Sequence, residues 1–202
     1  MIRLSWTPAQ STLSAQALKA MYIISKMNYS CEFSLTASVS LFNKCILPIL
    51  VYGAEIWGAN THHCIENVLH VFCRKQLGLG SRTPVPVLLG ECGLFPLYID
   101  CIMKVVKYWI KIISLEGNSL LKSCYSMMYR SAVNGGTNWA SNVKDILLLY
   151  GFGYIWEEHQ VGNIESFTKD IEQRMKDCYL QKWNAIRTDM LYSQSNKPGS
   201  LI

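Results

Sequence analysis

Apolar residues return every three or four positions along nearly the whole chain, and the prolines and glycines fall between those periodic stretches rather than inside alternating ones. A helix face repeats at about 3.6 residues and a strand face at two, so this rhythm specifies helices. The expectation is an all-α protein: an irregular multi-helix bundle with a turn-rich Pro/Gly connector around 81–96 and a long C-terminal helix. With 50% hydrophobic residues and only 16% charged, the chain has the material for a packed core.

The first helix is expected from Ser11 to about Asn28, with Leu13, Ala17, Met21 and Ile24 on one face and Ser11 as its cap. A second, from Ser34, carries Leu35, Val39, Phe42 and Ile46. Pro48 lacks a backbone donor and crowds the carbonyl of Lys44, so it should end or kink near Leu47. A third opens after Thr61, lines up Ile65, Val68, Leu69 and Phe72, and closes at Gly78. Pro96 suits the first turn of a long helix running to about Leu115. Shorter helices follow at about 119–132 and 138–150. In the last, Ile164, Phe167, Ile171, Met175, Tyr179, Trp183, Ile186 and Met190 share one face over about seven turns. The Asn134-Gly135-Gly136 and Gly151-Phe152-Gly153 segments are the best places to divide the chain, into a helical region 1–116 and a C-terminal helical region 137–202, with a single domain as the alternative.

The net charge of +5, from 19 basic and 14 acidic residues spread along the chain, permits contact with a polyanion without specifying one. The start has no signal peptide pattern. The longest apolar run, Cys45 to Ala54, is interrupted by Pro48 and Gly53 and falls well short of the roughly 20 residues of a bilayer span, so no membrane partner is expected. An intracellular location, nuclear or cytoplasmic, follows as the expectation, with the eight cysteines reduced.

The segment Leu41-Phe42-Asn43-Lys44-Cys45-Ile46-Leu47-Pro48-Ile49-Leu50-Val51-Tyr52-Gly53-Ala54-Glu55-Ile56-Trp57-Gly58 resembles a block just C-terminal to the polymerase domain in LINE-like and Jockey-like non-LTR retrotransposon reverse transcriptases. The likeness continues through Ile65-Glu66, His70, Phe72-Cys73-Arg74-Lys75, Leu77-Gly78, Thr83-Pro84, Gly90-Glu91-Cys92-Gly93, Pro96-Leu97 and Lys107-Tyr108-Trp109, with weaker echoes at Trp156, Phe167, Asp177-Cys178-Tyr179 and Trp183. It is densest from 41 to 115. The resemblance implies the thumb-like and downstream helical region of an RNA-directed DNA polymerase, without the endonuclease or the catalytic palm.

The chemistry in the residues agrees with that placement. Two-metal nucleotide transfer needs carboxylates that hold both ions a few ångströms apart. This chain has no Asp-Asp pair, and its aspartates at 100, 145, 170, 177 and 189 are scattered over separate expected helices or sit seven residues apart at the nearest. Phosphate-cradling glycine loops and a nucleophile elbow are also missing. The expectation is a non-enzyme with no catalytic residue and no cofactor.

His62, His63, Cys64, His70 and Cys73 form the most metal-like group, but only His70 and Cys73 meet, at i,i+3. Two ligands fall short of the four of a structural zinc, so no metal site is expected and Cys73 reads as a buried thiol. Lys104, Lys107 and Lys111 make a stripe on the long helix, opposite Ile102, Val106, Trp109 and Ile113. Such a stripe can ride along phosphates, or it can simply be a solvated helix face. Arg74, Lys75 and Arg82 cluster where the third helix ends, as a second basic patch or as charges that complement the helix terminus. Glu55 and Glu91, each near a glycine, are expected to accept backbone N–H bonds in turns. The tryptophans read as core anchors first and base-stacking platforms second.

The leading expectation is therefore a helical piece that guides an RNA or DNA duplex along its basic helix face. One rival is a helical interaction module that binds a protein partner through an apolar groove. Another is a remnant of a decayed element with no selected function.

Overall fold

The computed structural model describes residues 5–31, 33–117 and 119–195. Among these residues there is no strand, and the chain is an all-α, multi-helix protein. In order the helices are α1 (Thr7–Cys31), α2 (Leu35–Leu41), α3 (Leu47–Leu50), α4 (Ala54–Trp57), α5 (His63–Leu77), α6 (Val85–Glu91), α7 (Leu97–Ile113), α8 (Leu120–Val133), α9 (Trp139–Leu149), α10 (Gly153–Glu158) and α11 (Ile164–Ser195). A π-helical turn, Phe42–Ile46, joins α2 to α3, and a 3₁₀ turn, Gly58–Asn60, follows α4.

Local chemistry sets most of the boundaries. Ser34 caps α2 by accepting the Ala37 N–H, and Ser119 caps α8 by accepting the Lys122 N–H. Asn138 and Ser141 form a reciprocal capping box on α9. Gly78 closes α5 with a φ of 63°, in the left-handed region where a side chain is disfavoured. Helix α1 starts at Thr7, ahead of the expected Ser11, because Pro8 fits the first turn and the Ser5 hydroxyl accepts the Thr7 N–H; Ser11 lies inside the helix.

Pro48 does not end its helix. The Leu47 N–H reaches back to the Phe42 carbonyl, five residues away, and this wide turn leads straight into α3. The apolar run around it meets the length and composition of a span only as a pair of helices bent by 67°, and no single helix among the described residues is long and apolar enough to cross a membrane. Its side chains Phe42, Ile46, Leu50, Ala54 and Trp57 all lie in the core.

Two apolar clusters meet along α7. The first gathers Ala17 and Met21 of α1, Phe42, Ile46 and Leu50, Ile65, Leu69 and Phe72 of α5, Leu88 and Leu89 of α6, and Leu97 and Cys101 of α7. The second gathers Ile102, Val105, Val106, Trp109 and Ile112 of α7 with Tyr125, Val143, Leu147, Trp156, Phe167, Ile171 and Met175. Helix α7 is thus enclosed from both sides and is the wall the clusters share. On α11 the buried face is shorter than its pattern suggests: Ile164 is exposed, Phe167, Ile171 and Met175 are buried, and Tyr179 and Trp183 are half-buried. The side chains of Ile186 and Met190 lie outside the described residues.

Candidate nucleic-acid interface

The enclosure of α7 decides what its lysines can do. Ten of its seventeen residues are buried, Trp109 and Val106 fully so. Lys104, Lys107 and Lys111 occupy the strip left at the surface, with Lys107 and Lys111 exposed and Lys104 half-exposed. Asp100 shares that strip, one turn before Lys104.

Acidic neighbours temper the stripe at its N-terminal end. Lys104 Nζ lies 3.5 Å from the Glu55 carboxylate. Glu55 therefore forms an ion pair, where a backbone-capping role was expected; its main-chain carbonyl, in turn, accepts the Trp139 indole N–H at 2.9 Å. The Asp100 carboxyl is held above the usual range by desolvation and by Glu172, with Lys176 and Lys107 pulling it back. Lys111 stands farthest along the strip from these carboxylates.

The segment that presents Glu55 to Lys104 is built by three local devices. Gly53 takes a φ of 68° and turns the chain, and the Trp57 indole N–H donates to the Tyr52 carbonyl across that turn at 3.1 Å. A Cβ on Gly58 would meet the Cys101 carbonyl oxygen at 2.6 Å, so only glycine lets the 3₁₀ turn lie against α7. The Tyr52-Gly53-Ala54-Glu55-Ile56-Trp57-Gly58 stretch is in this way a docking device for α7. It leaves Tyr52 74% exposed at the edge of a cavity of about 570 Å³ lined by Pro48, Val51, Glu55 and Lys104. Tyr52 and Lys104 line the same hollow, a juxtaposition that helical periodicity does not reveal.

Arg74 and Lys75 sit in the last turn of α5, and Arg82 is exposed in the turn before α6. Arg74 is half-buried: its Nε is shielded from solvent without a hydrogen-bond partner, and its charge adds to burial in lowering the His70 imidazole below its ordinary titration range. Cys73 is fully buried and its thiol is pushed up by burial and by the neighbouring Cys92. Among the described residues no group of three or more His, Cys, Asp or Glu side chains is arranged to hold a metal ion.

Glu66, half-buried under the start of α7, has a larger structural role than its place in the sequence suggests. Its two carboxylate oxygens accept the Leu97 N–H at 3.1 Å and the Tyr98 N–H at 2.6 Å, which caps α7 from another helix. Burial raises the Glu66 pKa even so, since the two backbone bonds offset the desolvation only in part.

A polar chain runs through the second cluster. The Trp109 indole N–H donates to the Tyr125 hydroxyl at 2.9 Å, and that hydroxyl pairs with His159 Nε2 at 2.8 Å. Burial pushes the Tyr125 hydroxyl up to about 12 and lowers His159. Trp109 can only donate, so the Tyr125 oxygen accepts from it, and the direction of the bond between Tyr125 and His159 follows the imidazole tautomer.

Compared with protein-family models, with curated proteins and with solved structures, the chain finds no match.

Proposed function

We propose that this chain is the helical region that follows the polymerase domain in a non-LTR retrotransposon reverse transcriptase, and that it guides a template–primer duplex or target DNA along the surface strip of α7. On this reading the piece lacks the catalytic palm and carries out no nucleotide transfer itself. The observation that carries it is the resemblance over residues 41–115. The α7 lysines, with Tyr52 at the strip's edge, offer the matching surface, since contacts of lysine with phosphate release counterions and make affinity fall with salt. The test is affinity for DNA duplex and RNA–DNA hybrid as a function of salt. Replacement of Lys104, Lys107 and Lys111 by Gln is expected to weaken binding and flatten the salt slope by up to about three phosphate contacts; absence of binding at low salt, or no loss in the triple variant, refutes it.

One observation favours a second reading, a module that binds a protein partner. The second half of α1 exposes Leu18 (38%), Tyr22 (68%), Ile23 (61%) and Met27 (55%), more large apolar surface than a solvated helix needs. Capture of a defined helical partner that is lost on Tyr22→Ala but indifferent to the three lysines would select it.

A further inference from the structure

Beside the second cluster, the end of α7, one face of α8 and His159 line an open cavity of about 420 Å³ that the duplex reading does not use. Its size falls within the roughly 300–1,000 Å³ of small-ligand sites. Ile112 and Ile113 of α7 supply aliphatic wall. Tyr125, Tyr129 and His159 supply rings, with Tyr129 edge-to-face on His159 at 4.5 Å between centroids. The wall is also held in place. Tyr125 is fixed by Trp109 on one side and His159 on the other, and His159 closes α10 in a left-handed conformation, φ 51°, that turns its ring back toward Tyr125.

The polar lining is one-sided. Lys122, Ser126 and Arg130 follow each other at four-residue intervals on α8, so they share a face. Lys122 also donates to the Leu115 carbonyl at 2.7 Å, which anchors the ammonium without neutralising it. None of the lining residues is acidic; Glu158 faces a separate hollow beyond His159. A ring-lined pocket with two cations and a hydroxyl along one edge selects a planar aromatic group that carries an anion.

We infer that this cavity binds a nucleotide unit, its base among Ile112, Ile113, Tyr125 and Tyr129 and its phosphate at Lys122 and Arg130. The same chemistry is offered by a free mononucleotide and by the terminal unit of a strand. The inference stands apart from the duplex reading, because it uses none of the α7 lysines.

The experiment is equilibrium dialysis of the full chain with AMP, with adenosine, and with a 5′-phosphorylated oligothymidylate as competitor. AMP is expected to bind saturably with a Kd below about 1 mM, and adenosine about tenfold or more weaker, since it lacks the charge-assisted contacts. Arg130→Gln, at an exposed position, should shrink that preference, with Lys122 retaining part of it. Ser126→Trp, also exposed, should fill the cavity and abolish binding while the helical circular dichroism is retained. Displacement of AMP by the oligonucleotide assigns the site to a strand end, and failure to displace assigns it to the free mononucleotide; both uphold the site. Unsaturable AMP uptake, equal affinity for AMP and adenosine, or AMP binding that survives both variants overturns it. Replacing the three α7 lysines should leave AMP affinity unchanged, so the two proposals fail separately.

Discussion

The two clusters that meet on α7 are made of different materials. The first is mainly aliphatic and thiol-rich around one ring pair, Phe42 and Phe72 at 4.5 Å, with Ile46, Leu50, Ile65, Leu69, Leu88 and Leu89 fully buried beside Cys73 and Cys101, and its Glu66 carboxylate caps α7. The second is aromatic, with Trp109 stacked on Trp156 at 6.1 Å and a hydrogen-bonded Trp109–Tyr125–His159 chain that runs from the core to a cavity. In the first, Glu66 is spent on joining two helices, while Ser38 Oγ and Arg74 Nε are shielded without a hydrogen-bond partner. In the second, the polar chain is satisfied internally and ends at an open cavity. The lesson is that burial alone does not locate function in a helical protein; what matters is where polar groups inside the core lead.

The comparison can be broken most forcefully at the large side chains. Trp109→Ala and Phe72→Ala, both at essentially complete burial, should each cost about 3–5 kcal/mol in urea unfolding. Because α7 belongs to both clusters, each variant should shift one common transition. Two separate transitions would show the clusters to be independent.

Glu66→Ala comes next, at about 2–3 kcal/mol, because it leaves the Leu97 and Tyr98 N–H groups without their acceptor at a buried helix start. Circular dichroism with urea would measure it, and a loss near zero would mean that water replaces the cap. Tyr125→Phe is the counterpart in the second cluster. It orphans the Trp109 indole N–H and should cost about 1–2 kcal/mol while leaving helical content unchanged.

Acid sharpens the contrast by sign. His159 is lowered in the folded protein by burial, so its contribution is present above the unfolded value of about 6.5 and is lost as pH falls through the lowered folded value. Glu66 is raised, so its contribution is present below the unfolded carboxylate value and is lost as pH rises through the raised one. In the first region His70 has the sign of His159 and opposes Glu66. Stability measured from pH 7 down to about 5 should therefore fall less steeply in His159→Gln than in the parent chain, and an unchanged slope would remove His159 from the account. The smallest effect is expected at the surface: Lys104→Gln breaks a half-exposed ion pair with Glu55 and should change stability by less than about 1 kcal/mol, whatever it does to duplex affinity.

Much of this architecture was legible in the sequence because it is decided locally. Ser34, Gly78, Pro96, Ser119 and Asn138 stop or start helices within one turn of themselves, and the buried faces of α5 and α7 follow their apolar spacing. The lysine strip was legible for the same reason. What escaped depends on residues far apart in the chain. Glu66 caps a helix 31 residues onward, Glu55 turns from its own backbone to Lys104, and His159 finds Tyr125 across 34 positions. Helix α10, six residues long, is too short to show a period. On α11 full burial ends before the described apolar spacing does, with Tyr179 and Trp183 only half-buried.

The wide turn before Pro48 carries one more consequence. Ser38, Phe42, Ile46 and Leu50 are all buried, at a strict spacing of four. In a regular α-helix each such step drifts about 40° around the axis, so three steps would carry Leu50 roughly 120° away from Ser38. The π turn takes back part of that drift at the middle step, because a five-residue loop of hydrogen bonding advances less angle per residue. The orientation of everything up to Gly53 is therefore written as a count of residues. The wide turn takes up one residue more than an α turn over nearly the same angle, so loss of a single exposed position inside it, such as Asn43 or Lys44, would let it close into a regular α turn with Leu50 still facing the core, whereas a change in length outside the turn has no such outlet.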